Sequence, residues 1–277
     1  MLTKALKFFH HLLVLVVLTI LTQVGGIIYL LCLWLFSRIP FDGYHKWLRR
    51  GVKLLVFSIA YIFFSFAVVP LVASTFFDKE PLPFSGEHLR PLNVGTVLLN
   101  RHYTTKDLKE TMTRSASKMA TAYPGTITLY LDANFPLFEK FPLLPHISHN
   151  DGKKLDLAFY YRDSKTKEMR VDSPSWLGYG VFEGPKEGEY DMPDQCAKRG
   201  KWQYSILGDI VPQHRKDNYI FDAQRTKALI SILAKEAAIK KIFIEPHLKT
   251  RLGLTSAKVR FHGCQAVRHD DHIHIQL

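Results

Sequence analysis

The sequence predicts an α+β domain with a small, mostly antiparallel sheet and flanking helices, preceded by two transmembrane helices. Residues 12–36 and 54–77 contain no Asp, Glu, Lys or Arg. Each run exceeds the roughly 20 apolar residues that cross a bilayer core as a helix. Beyond them, short β-branched and aromatic runs alternate with helical periodicities. The 277 residues suffice for one catalytic domain and an anchor, not for two large domains. The chain therefore divides into a membrane anchor over 1–78, a Pro-containing linker over 79–94 and a domain over 95–277.

Lys4 and Lys7 precede the first run as they would in a secretory signal, but the apolar stretch is longer than such signals carry. Between the runs stand Arg38, Lys46, Arg49, Arg50 and Lys53 against one acid, Asp42. Basic flanks stay cytoplasmic. This predicts the short loop inside, with the N-terminus and everything after Phe77 outside, in contact with membrane lipid through two helices.

The net charge of +12 is split evenly. Seven Lys/Arg less Asp42 leave +6 up to Phe77, and 30 Lys/Arg less 24 Asp/Glu leave +6 beyond it. The outer domain is only mildly basic, and no nucleic-acid motif or compact basic run is present, which excludes nucleic acid as a partner. Of three cysteines, Cys32 lies in the first apolar run. Cys196 and Cys264 either pair in an oxidising space or stay as two buried thiols.

In the outer domain, 104–123 reads as a helix, with Thr104 or Thr105 as cap and Pro124-Gly125 as stop. Strands are expected at 126–131 and 155–161. Residues 164–200, crowded with Lys, Glu, Gly, Pro and Asp, read as a long surface excursion of the kind that borders sites. A helix follows over 221–239 with Asp222 near its start, then a strand at 242–244. Residues 267–277 alternate into a last strand.

Two polar clusters carry the chemistry. The stretch 145–156 holds His146, Ser148, His149, Asp151 and Asp156, and 268–275 holds His269, Asp270, Asp271, His272 and His274. Imidazole nitrogen and carboxylate oxygen suit Zn²⁺, and a catalytic zinc keeps three protein ligands and one open position. His149 and Asp156 supply two. On a strand, His272 and His274 point the same way, so one can ligate while the other faces water or substrate.

The spacing His146-x-Ser148-His149-x-x-Gly152-x-x-x-Asp156, followed by His269-x-x-His272-x-His274, resembles the two signature blocks of the penicillin-insensitive murein endopeptidases. The wider clan includes D-alanyl-D-alanine peptidases and the Hedgehog signalling domain. The run 240–249 is similar to the segment before the second block. The resemblance covers about residues 95–277. It implies zinc held by His149, Asp156 and His274, with His146, His269 and His272 as further active-site histidines and His272 moving the proton. It also implies a zinc metallopeptidase of peptidoglycan peptides or cross-links, and says nothing of the membrane part; joined with the two apolar runs, it predicts a chain in the bacterial inner membrane with the catalytic domain facing the periplasm or cell exterior. Two features depart from the pattern: Lys154, two before the aspartate, and the absence of a cysteine-rich framework. The alternatives are a non-catalytic zinc module that binds wall peptide or a partner protein, and a structural membrane protein with incidental histidines.

Overall fold

The computed structural model describes residues 2–40, 43–144 and 146–277. The first apolar run is a hairpin rather than a single helix. α1 (Leu2–Thr22) stops at Gln23, whose backbone enters the left-handed region (φ 65°), and α2 (Gly25–Arg38) returns beside it. The Gly25 N–H donates to the Thr22 hydroxyl (2.8 Å). A Cβ at Gly26 would fall 1.9 Å from Thr19 Oγ1, so glycine permits the close approach. His11 Nδ1 lies 2.7 Å from the Tyr29 hydroxyl, as an antiparallel pair requires. The expected span over 12–36 is corrected accordingly.

The second run lies in α3 (Lys46–Phe63), which passes through a π-turn (Phe64–Val68) into α4 (Val69–Phe76). Helices over Lys4–Thr22 and Lys46–Phe76 are long and apolar enough to cross a membrane. The 14-residue α2 spans only about 21 Å. Within the protein the two long helices are almost unburied, and their Leu13, Leu54 and Leu71 stand open, as does Trp34 on α2. An apolar surface of this extent suits lipid rather than water.

The Gln23 turn touches the outer domain, accepting from Leu137 N–H (2.7 Å) and donating to Phe138 O (3.3 Å). At the other end of α2, Lys53 Nζ lies 5.2 Å from the Phe36 ring. Because α1 and α2 run antiparallel, Lys4 and Lys7 gather with Arg38 and Lys46 at the end remote from the domain. The N-terminus, expected on the domain's side, therefore lies with the basic loop, a correction that follows from the extra turn.

The outer domain begins earlier than expected. β1 (Glu80–Pro81) and β2 (Leu89–Pro91) both fall in the stretch read as linker. Next come α5 (Val94–Leu98), β3 (Tyr103–Thr104), α6 (Lys106–Ala122) and β4 (Thr128–Tyr130). They are followed by β5 (Lys154–Ala158), β6 (Tyr161–Asp163), β7 (Met169–Arg170), α7 (Met192–Lys198), α8 (Ile206–Ile210) and β8 (Tyr219–Phe221). The chain closes with α9 (Ala223–Lys235), β9 (Lys241–Phe243), α10 (Pro246–Arg251), β10 (Val259–Arg260) and β11 (His272–Gln276). Asp222 caps α9 by accepting from Arg225 N–H (3.0 Å). Thr105 occupies the α6 cap position without a side-chain bond.

The main sheet has the order β10-β9-β11-β5-β4-β2. Its central junctions are antiparallel, but β10–β9 and β4–β2 pair in parallel, so the sheet is mixed, correcting the mostly antiparallel expectation. The cause is connectivity. Helix-bearing crossovers, α5 and α6 before β4 and α10 before β10, bring the chain back to the same end of the sheet. A smaller sheet β7-β6-β8 stands beside it.

α6 and α9 cover one face of the main sheet. Leu108, Met112 and Met119 meet Leu229, Ile230 and Leu233 above Leu155, Leu157, Ile273 and Ile275. Burying each such side chain contributes about 1.5–3 kcal/mol. Period-two alternation then sends Asp156, His272 and His274 to the opposite face. The apolar core and the polar cluster are thus two sides of the same strands.

Candidate metal centre

β5 and β11 are antiparallel with His274 opposite Asp156 and His272 opposite Ala158. His272 and His274 share a face, as the alternation predicted. His274 Nδ1 lies 2.8 Å from Asp156 Oδ1. His149 enters from the 146–150 loop with Nε2 3.2 Å from His274 Nδ1 and 3.3 Å from Asp156 Oδ1. Its Nδ1 is 2.7 Å from the Ala133 carbonyl. A carbonyl only accepts, so Nδ1 carries the proton and the Nε2 lone pair faces the cluster.

His146 approaches the other carboxylate oxygen, Nδ1 lying 3.3 Å from Asp156 Oδ2 and 3.3 Å from Asp132 Oδ2. His146, His149 and Asp156 are all buried, with ligand atoms within 4.8 Å of one another, a group that could hold a metal ion. His272 places Nδ1 2.5 Å from Asp271 Oδ1, leaving Nε2 3.7 Å from Asp156 Oδ1. His269 lies alongside, its ring 4.9 Å from that of His272 and tilted 45° to it, and its backbone N–H donates to Glu245. All six site residues expected from sequence are therefore brought together.

Burial alone would raise the Asp156 pKa, but His149, His272 and His274 outweigh it and hold the carboxyl well below its usual range. Burial pushes His274 down to about 4. For His272, burial is outweighed by Asp156 and Asp271, and the imidazole rises to about 9. His269, buried among other histidines, falls well below its ordinary value. At His149, burial is likewise outweighed, by Asp156 above all, and the imidazole is raised. The cluster thus combines an ionised acid, two rings pushed toward the protonated form, His149 and His272, and two pushed toward the neutral form, His274 and His269.

Other residues of the cluster were missed from sequence. The Tyr179 hydroxyl donates to Asp156 Oδ2 (2.9 Å) and accepts from Asp132 N–H (3.2 Å). Arg101 pairs with Asp132 (2.7 Å). Tyr179 belongs to 164–200, so that segment is not simply a surface excursion: Ser173, Ser175, Tyr179 and Val181 are buried. Asp132 comes directly after the strand expected at 126–131, two residues past the end of β4, and Asp271 adjoins His272, so both could have been found by their places next to predicted elements and motifs. Lys154, which departs from the family pattern, directs its Nζ to Asp151 (2.5 Å), so this cation is paired.

A cleft of about 460 Å³ opens over the cluster. One wall carries Gln203 and Ile206, the other His262, Gln265 and Val267. A disulfide between Cys196 and Cys264, Cα atoms 5.4 Å apart, ties the segments behind these walls together and resolves the pairing left open by sequence. A scan of known protein-family models finds no match to this chain, and a search of curated proteins finds none.

Proposed function

We propose that the protein is a membrane-anchored zinc metallopeptidase that hydrolyses amide bonds in peptidoglycan peptides or cross-links, with its catalytic domain in the periplasm. One observation carries the reading. The donor atoms of His149, Asp156 and His274 stand 2.8–3.3 Å apart. Ligands at zinc bond lengths of about 2.0–2.1 Å in a tetrahedron are separated by about 3.3 Å. Among the described residues the buried His272 Nε2, beside this set, has no hydrogen-bond partner, as suits a group that meets substrate.

Zinc held there supplies an activated water and polarises the scissile carbonyl. The chain's residues do the rest. The Ala133 carbonyl and Asp271 fix the tautomers and orientations of His149 and His272. Tyr179 orients Asp156 by its hydrogen bond. His272 holds or moves a proton at Nε2, and the cleft admits an extended peptide.

Support for the location is independent of the site. The Cys196–Cys264 disulfide fits an oxidising compartment. The basic residues at the remote end of the helices fit a cytoplasmic side. The test is incubation of the full chain in nanodiscs with purified peptidoglycan, followed by mass analysis. Cross-linked muropeptides should decrease and each cleavage should add one water. An unchanged cross-linked fraction, with zinc bound, would remove this substrate.

A further inference from the structure

Beside the metal centre the surface sinks into a second hollow of about 210 Å³. His146, Asp132 and Tyr179 form the wall it shares with the centre. The remaining lining is mainly apolar, from Leu99, Leu131, Trp176, Leu177, Leu207 and Val211.

α5 joins this hollow to the membrane helices. At its C-terminal end, the Leu98 carbonyl accepts from the Tyr61 hydroxyl (2.6 Å), and Asn100 Nδ2 donates to Tyr61 (3.0 Å) and Ser65 (3.3 Å). At its other end, Asn93 caps the helix through Thr96 N–H (3.2 Å), and its Nδ2 donates to the Trp176 carbonyl (3.4 Å). Val94 and Leu98 on α5 are exposed, as is Trp176, 68% open to solvent. Phe66 follows the Ser65 that meets Asn100, and the exposed Val94 and Leu98 lie on the helix that runs from there to the rim of the hollow. Single exposed apolar residues need no explanation, but several on an element that ties the apolar α3–α4 helix to the rim of a site do. A tryptophan at such a mouth suits the bilayer interface, where its amphipathic ring is favoured.

We infer that the hollow receives the apolar chain of a lipid-attached substrate, so that the bond cut at the metal centre belongs to a molecule held in the same membrane. The cutting rests on the peptidase reading; binding of the chain does not.

The experiment uses the full chain in nanodiscs of phosphatidylethanolamine and phosphatidylglycerol. The probe is a D-alanine-containing peptide amide bearing a palmitoyl chain with a terminal diazirine, compared with the same peptide lacking the chain. After irradiation, the label is expected in residues 94–99, 176–177 or 207–211, and Trp176→Ser should reduce it severalfold. The palmitoylated peptide should be cut at least about tenfold faster, the ratio for about two methylene groups leaving water. Membrane partitioning alone also speeds that peptide, so the position of the label decides. Label confined to α1–α4, or none, overturns the inference even if both peptides are cut. Label in the hollow with neither peptide cut upholds the lipid site and refutes the peptidase reading.

Discussion

His274 stands directly opposite Asp156 across the β11–β5 ladder, Nδ1 to Oδ1 2.8 Å. Two rigid strands thereby fix two of the three proposed ligands, and only His149 depends on a loop. Strand-borne ligands keep their geometry because the apolar halves of the same strands are locked in the core.

One zinc per chain is expected by elemental analysis of chelator-free preparations. His149→Ala and Asp156→Ala should each lose most of it, since two remaining ligands make an incomplete shell. His146→Ala should retain it, because His146 faces Asp156 Oδ2 and Asp132 rather than the His149–His274 edge. Metal loss from His146→Ala with retention by His274→Ala would exchange their roles.

The helical hairpin sets the topology. A reporter active only outside the cytoplasm should work when fused after Leu277 and fail near His45 or before Met1. Activity at the N-terminus would mean that α1 and α2 cross as one continuous span.

Much of this was legible in the sequence, for identifiable reasons. Ile273 and Ile275 alternate with His272 and His274, so the strand period alone placed both histidines on one face. The break at Gln23 was less visible. Gly25-Gly26 marks it, but the other 20 uncharged, mostly apolar residues of the 12–36 run around the Thr22–Gly26 turn dominate any hydropathy average. β1 and β2 are two and three residues long, too short to show a period, and they contain Pro81 and Pro91. Tyr179 reaches Asp156 only through tertiary folding of a Gly- and Lys-rich segment, which no local pattern encodes.

Glu245 gives the domain a pH-dependent weakness. Its buried carboxyl is pushed up to about 7 by burial and by Asp270, against Tyr204 and the His269 N–H, which favour the charged form. Asp270, buried beside Arg268, is raised as well. A carboxyl whose folded pKa exceeds its unfolded value holds more protons folded than unfolded, so stability falls as pH rises between about 4.5 and 7. For Glu245 the loss is on the order of 2–3 kcal/mol. The melting temperature of Glu245→Gln should therefore rise relative to that of the unaltered protein between pH 5 and pH 8. An unaltered slope in the variant would assign the effect elsewhere.

His272 is expected to act on the proton rather than hold the metal. Asp271 takes its Nδ1, so only Nε2 is available, and that atom lies 3.7 Å from the carboxylate oxygen that faces His149 and His274. It stands next to the ligand set rather than within it. General acid–base assistance is typically worth about 10² to 10⁴ in rate. His272→Ala should therefore keep zinc near one per chain and lose turnover by that factor, whereas His274→Ala should lose both. Asp271→Asn provides an intermediate case, because the amide accepts the same hydrogen bond without the charge that helps raise the His272 pKa to about 9. It should retain metal and shift the ring's pKa downward, read by NMR titration. His269, whose ring is neutral and packed against His272 at 4.9 Å, serves as the control. If His269→Ala alone keeps metal and loses turnover, the proton-moving residue is His269. A fully active His272→Ala protein, with zinc measured on the same preparation, would reduce His272 to packing.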